Sequence, residues 1–388
     1  MGDFEDKLHA AFDAEEKRTP VPPNLRYRVI ANAVATPRRQ GIASWLTVPR
    51  LATAGAVTAV LIVAGIGLRT VTQTHPITAQ HSPTPSAVLA FGKLPAPGLH
   101  PPQGLGGGGG SQTVIPYFGA ATMTWTGQLP KVPSSAPVER FIVPTTTDAD
   151  ALAHRLGATL VSPGGPKEPR TYNMPGGYQL GITMDDPVAG EPTFVINYQG
   201  SEINGGGSLT DSAARTAASD ALAHLGLTPS WPSAVTVSTL MPLGNSPPIY
   251  VVQYQHLVQL SGNITAGEVD GNGDPAGIQV LIDSTGKAIH LAGSVRLANS
   301  TATQSATYPM TQASSIVKAA VAASPQAPAV SPAPNVALTK STLVYTVVAQ
   351  NGTGYLIPAY LFTGTFSSDG STLEKRVLVP ALAPRALA

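Results

Sequence analysis

From Leu51 to Leu68 the chain reads LATAGAVTAVLIVAGIGL, eighteen residues without a charge. With Trp45 to Pro49 before it, this stretch reaches the roughly 20 residues that a bilayer core demands. A cleaved signal peptide would place its apolar core near the N-terminus, but here about fifty residues precede it and no clear small-x-small cleavage site comes after it. A buried soluble helix fits poorly too, because Gly55, Gly65 and Gly67 sit among β-branched Val and Ile, a mixture that bilayer helices tolerate. The expectation is one retained transmembrane helix over residues 46–68.

Basic residues flanking a span resist translocation. Arg38, Arg39 and Arg50 lie on the N-terminal side of the uncharged run, whereas only Arg69 lies close on the other. Residues 1–45 are therefore expected as a cytoplasmic arm and the C-terminal part outside the cell, with Trp45 at the inner interface. Within the arm, Phe4, Leu8 and Phe12 form one helical stripe and Leu25, Val29, Ile30 and Ala33 a second. Helices this short bury little. The arm is a solvated tail, a segment on the inner leaflet, or a docking element for a partner.

Composition separates the chain beyond the span into a tether and a folded part. Pro (37) and Gly (39) together make up near a fifth of the 388 residues, and only 12% are charged. Between Thr70 and Val138 there is no acidic residue, and Pro and Gly culminate in Gly106 to Gly110. That run has no GK[ST] after it, so it reads as a flexible linker, over 69–119, and not as a phosphate cradle. The net charge of +1 offers no electrostatic footprint for nucleic acid. The absence of Cys excludes disulfides, thiolate nucleophiles and Cys-rich zinc sites.

Residues 120–388 read as an extracytoplasmic α+β domain of antiparallel sheets with packed helices. Ile249 to Val258, Gly277 to Ile282, Leu343 to Val348 and Tyr355 to Phe362 carry β-branched and aromatic residues. Asp283-Ser-Thr-Gly286 and Asn351-Gly352 supply hairpin turns. Helices are expected from Thr210-Asp211 and over Thr311 to Ala323. Asp150-Ala-Leu-Ala-His154 recurs seventy residues later as Asp220-Ala-Leu-Ala-His224, each with a Gly close behind. This suggests an internal duplication and a division into 120–207, 208–305 and 306–388.

Chemistry is sparsely marked. Asp270-Gly-Asn-Gly-Asp274, with Glu268 upstream, begins like a calcium loop, but Pro275 stands where Gly is needed and Leu281 where a bidentate Glu is needed. A hairpin loop is the better reading, beside a weak calcium contact. His154 and His224 sit near helix ends, and His256 and His290 in strands without an identified partner. The pairs Asp148/Asp150 and Asp185/Asp186 read as surface turns, since acid–base work needs carboxylates opposed across a cleft. No GxSxG or HExxH motif occurs. Asn263, Asn299 and Asn351 begin glycosylation triplets. The sequence thus nominates no catalytic, cofactor-binding or metal-ligating residue, and no cofactor.

The segment Pro22-Pro-Asn-Leu-Arg26 ahead of a single span resembles the juxtamembrane arms of bacterial anti-sigma-factor-like proteins, without the zinc-binding His-Cys-Cys module that many of them carry. Tyr250-Val-Val-Gln-Tyr254, the turn Val280 to Gly286, and Tyr308-Pro-Met before a helix resemble extracytoplasmic domains of the YycH/YycI and PepSY kind. Leu129 to Pro133 and Tyr355 to Tyr360 are similar to segments of actinobacterial membrane proteins. The resemblance implies a bacterial envelope regulator, bound to the bilayer through one helix and to an envelope or membrane protein, with no nucleic acid and no enzymatic role. A cell-envelope hydrolase with a non-local active site is the alternative.

Overall fold

The computed structural model describes residues 89–99, 114–165, 168–200, 207–240, 247–260, 264–323, 333–368 and 371–388. The segment 46–68, the arm and Asn263 lie outside the described residues. Among those residues, no helix is long and apolar enough to cross a membrane.

Three strands come first: β1 (Val114–Tyr117), β2 (Thr122–Trp125) and β3 (Ser135–Ile142). A helix followed by strands then recurs. The first run is α1 (Thr146–Arg155), β4 (Thr159–Ser162), β5 (Arg170–Met174), β6 (Tyr178–Thr183) and β7 (Thr193–Tyr198). The second is α2 (Asp211–His224), β8 (Ser233–Leu240), β9 (Ile249–Gln259), β10 (Thr265–Val269), β11 (Gly277–Ile282) and β12 (Ala288–Ser294). After α3 (Val295–Ala298) and β13 (Gln304–Pro309), a last run comprises α4 (Ala313–Val321), β14 (Asn335–Leu338), β15 (Lys340–Gln350), β16 (Thr353–Ser368) and β17 (Ser371–Pro380). The fold is mixed α+β, dominated by sheet.

The first two runs share one antiparallel sheet in the order β4-β5-β6-β7-β12-β11-β9-β8. Their last strands meet at its centre, with Ile196 opposite Leu291 and Phe194 opposite Gly293. This order mirrors itself about the β7–β12 pair, as a local two-fold would require. Alternation along β6 and β7 turns Leu180, Ile182, Phe194 and Ile196 onto one face, where they meet Val252, Ile278, Val280 and Leu291. The helices cover that face through Leu152 of α1 and Leu222 of α2, the leucines of the two Asp-Ala-Leu-Ala-His segments.

Both of those helices also end alike. Gly157 and Gly226 adopt φ of +65° and +63°, a left-handed conformation that costs glycine little. The residue beyond each then reaches back: Ala158 N–H bonds Ala153 carbonyl at 2.9 Å, and Leu227 N–H bonds Leu222 carbonyl at 2.8 Å. The faces nevertheless differ, since α1 buries Ala149, Leu152 and Ala153 whereas α2 buries Ala214, Ala218 and Leu222. The equivalent aspartates therefore point in different directions.

A second sheet runs β1-β17-β16-β15-β10, with β3 on the start of β16 and β13 on β3. Here the all-antiparallel expectation needs correction. β1–β17, β10–β15 and β2–β14 are parallel pairs. Each joins strands distant in sequence, so no hairpin dictates their direction. The β10–β15 pair carries the second run of strands into the third, and residues 89–388 form one compact unit. Asn351 and Gly352, with φ of +51° and +76°, make the turn between β15 and β16 that their sequence announces.

The linker expected over 69–119 enters the fold well before its end. Leu94, Leu99, Tyr117 and Phe118 are buried. Leu94 N–H bonds Ala386 carbonyl at 2.9 Å and Ala388 N–H bonds Leu94 carbonyl at 2.8 Å, so this segment is clasped by the C-terminus. Tyr308 hydroxyl accepts from Phe91 N–H at 2.8 Å and donates to Gly92 carbonyl at 3.1 Å. A few apolar residues among Pro and Gly suffice to dock such a segment, which averaged composition conceals.

Candidate functional site

Four ionisable side chains converge inside the protein from separate elements. Glu191 precedes β7, His256 lies on β9, Glu268 on β10 and Arg296 on α3, and all four are buried. Arg296 Nε donates to Glu191 Oε2 at 2.8 Å, and its Nη2 donates to Glu191 Oε1 at 3.1 Å and Glu268 Oε1 at 2.7 Å. His256 Nδ1 donates to Glu268 Oε2 at 2.6 Å. Phe141 stacks beneath the guanidinium at 4.9 Å, and Trp231 meets the imidazole edge-on at 5.2 Å.

The two carboxyls are driven apart. Burial pushes Glu191 above its usual range despite Arg296. Burial opposes ionisation of Glu268 as well, but the Arg296 charge and the His256 hydrogen bond outweigh it and hold that carboxyl low. Carboxyls separated in this way suit acid–base chemistry when they face a cleft. Here their oxygens are occupied by Arg296 and His256, so the network acts as a buried tie between strands. Sequence reasoning singled out Glu268 and His256 but missed Glu191 and Arg296, which are 105 residues apart.

The acidic loop is closed by an arginine. Asp270 Oδ1 accepts from the N–H groups of Asn272 and Asp274, both at 2.9 Å. Arg376 Nη1 reaches Asp274 Oδ1 at 2.7 Å and Asn272 carbonyl at 2.9 Å, while its Nε reaches Glu374 at 2.8 Å. Burial, and then the Asp274 charge, push the Asp270 carboxyl up to about 7. The loop is a hairpin locked onto β17. Among the described residues, no three His, Asp or Glu side chains are grouped to hold a metal ion.

The remaining singled-out residues divide by position. Asp148 accepts from Thr145 N–H at 2.7 Å and caps α1. Asp150 receives Arg170 at 2.7 and 3.0 Å and Tyr172 hydroxyl at 2.6 Å. Asp186 organises the turn before β7 by accepting from Val188 N–H, Ala189 N–H and Thr193 hydroxyl. His290 Nδ1 lies 2.7 Å from Asn197 Oδ1, and burial pushes its imidazole down to about 4. Asn299 spends its amide on the Asp148 carbonyl at 3.2 Å. Lys375 is buried on β17, donates to Gly119 carbonyl at 2.7 Å, and is lowered to about 8 by burial.

One open site accompanies these closed ones. A shallow groove of about 560 Å³ runs beside α2. Ala213, Thr216, Ala217, Asp220, Ala221 and His224 form one wall, and Tyr178, Gly286 and Ala288 stand opposite. Tyr178 is fixed by donating its hydroxyl to Ala288 carbonyl at 2.9 Å. The Asp283 carboxylate shapes the hairpin carrying Gly286 by accepting from Thr285 N–H and Lys287 N–H, both at 2.9 Å. Thr216, Asp220 and His224 recur every four residues and so line up along the wall. Among the described residues, neither the Asp220 carboxylate nor the His224 ring has a hydrogen-bond or ion-pair partner. No protein-family model matches the chain, and no curated protein matches it in sequence.

Proposed function

We propose that this chain is a membrane-anchored, extracytoplasmic binding protein with a regulatory role, and that the groove beside α2 receives its partner. The anchor is the apolar segment 46–68, with the N-terminus inside as Arg38, Arg39 and Arg50 suggest. The observation that carries the reading is the contrast between sites. Glu268, Asp150 and Asp274 are each bound to an arginine of the chain itself, whereas Asp220 stands unpaired in an open groove. A concave surface with a few polar groups is the default place for a ligand.

The hydrolase alternative finds its best residues in Glu191 and Glu268, and their engagement by Arg296 speaks for the binding reading. A photoreactive amino acid at Ala217, introduced into the full chain in its own membrane, tests the proposal. A specific envelope protein crosslinked at Ala217, and not at the exposed Thr365 of β16, is the expected result. No specific capture at Ala217, together with turnover of a wall peptide or glycan by the purified protein, would overturn it.

A further inference from the structure

We infer that the groove beside α2 takes an extended peptide segment of its partner and seats a lysine or arginine side chain of that segment on Asp220. The inference rests on the binding reading above and adds the chemistry of the occupant. From Ala213 to His224 the helix rises about 16 Å. That matches about five residues of extended chain at roughly 3.3 Å each. Ala213, Ala217 and Ala221 project no bulk, so a peptide backbone can approach the helix closely, and the ring of Tyr178 opposite offers apolar surface to an aliphatic stem.

Charge selects the side chain. Among the described residues, Asp220 is the one carboxylate lining the groove. On the opposite hairpin the Lys287 ammonium packs over the Tyr198 ring, its Nζ 3.2 Å from the ring centre. The other helix already shows what an aspartate at such a place accepts, since Asp150 on α1 takes the Arg170 guanidinium at 2.7 Å. Because α2 is rotated relative to α1, the aspartate of the repeated segment faces the groove and, among the described residues, meets no arginine. Thr216 and His224, one turn to either side, offer hydrogen bonds to the backbone of the occupant.

The test uses the full chain in lipid nanodiscs and three capped pentapeptides of alanine with a central lysine, arginine or norleucine. The lysine and arginine peptides should bind about three- to fivefold more tightly than the norleucine peptide, the scale of an exposed ion pair. Asp220→Asn should remove that preference. Asp150→Asn, an aspartate on the other helix, should leave it within about twofold. Equal affinity for the lysine and norleucine peptides, no measurable binding of the lysine and arginine peptides, or an unchanged preference in Asp220→Asn, would overturn the inference. The crosslink at Ala217 separates the two claims: a specifically captured segment without Lys or Arg overturns the cation assignment and leaves the binding reading standing.

Discussion

Arg296 Nη2 lies 2.7 Å from Glu268 Oε1, with the two side chains 3% and 2% exposed. Glu268 sits on β10, the strand that pairs with β12's sheet through β9 and with the last run through β15, so this contact lies at the seam of the two sheets. Removing one member of a buried pair leaves an uncompensated charge and typically costs about 3–5 kcal/mol. Arg296→Met should destabilise the protein by that amount in urea unfolding. Replacing Glu191, Glu268 and Arg296 together with apolar residues should cost less than Arg296→Met alone.

The same network sets opposite pH responses for its two carboxyls. Glu268 is held below its ordinary value of 4.5 when folded, so its stabilisation is present above that pH and is lost as pH falls through the folded value. Glu191 is raised above 4.5, so its contribution is present at acid pH and is lost as pH rises through its folded value. Glu191→Gln should flatten the stability profile on the neutral side and leave the acid limb in place. Unfolding curves between pH 2 and pH 8 read both effects.

Asp270 behaves as Glu191 does, with its turning point near neutrality. Its carboxyl is raised to about 7, so the protein loses stability as pH climbs through that value. Asp270→Asn keeps an oxygen for the N–H groups of Asn272 and Asp274 and removes the charge beside Asp274. The variant should gain about 1–3 kcal/mol over the parent at pH 8 relative to pH 5. A change of the opposite sign would contradict the burial of this carboxyl.

The clasp of Leu94 by the C-terminus sets where the folded part begins. A chain starting near residue 87 should melt cooperatively. One starting near residue 112 lacks Leu94 and Leu99, two buried leucines, and should be less stable by several kcal/mol, at about 1.5–3 kcal/mol for each. Leu94→Ala in the longer chain should cost about 2–5 kcal/mol. Thermal melts followed by circular dichroism distinguish these outcomes.

Most of what the sequence disclosed was local. Ile249 to Val258 and Gly277 to Ile282 announce strands through β-branched residues, and Asn351-Gly352 announces its turn through the conformations it tolerates. The repeated Asp-Ala-Leu-Ala-His segments mark two helix ends that bury the same leucine. Their identity did not show that the helices are rotated, because rotation is set by which alanines meet the sheet. Parallel pairing of β10 with β15 left no mark either, since no short turn encodes it. The ion network escaped for the same reason: Arg296 and Glu191 are neighbours only after β7 and β12 have paired. Leu94 was hidden by the prolines and glycines around it.

The chain contains no cysteine, so a single one placed at Ala217 is a unique chemical probe of the groove. Intact cells carrying Ala217→Cys or Thr365→Cys would be treated with a membrane-impermeant maleimide, before and after washing that strips peripheral partners. An extracytoplasmic groove filled by a partner predicts that Thr365→Cys labels throughout, whereas Ala217→Cys labels strongly only after the wash. Labelling of both positions only after permeabilisation, or equal labelling of both before the wash, would contradict the account.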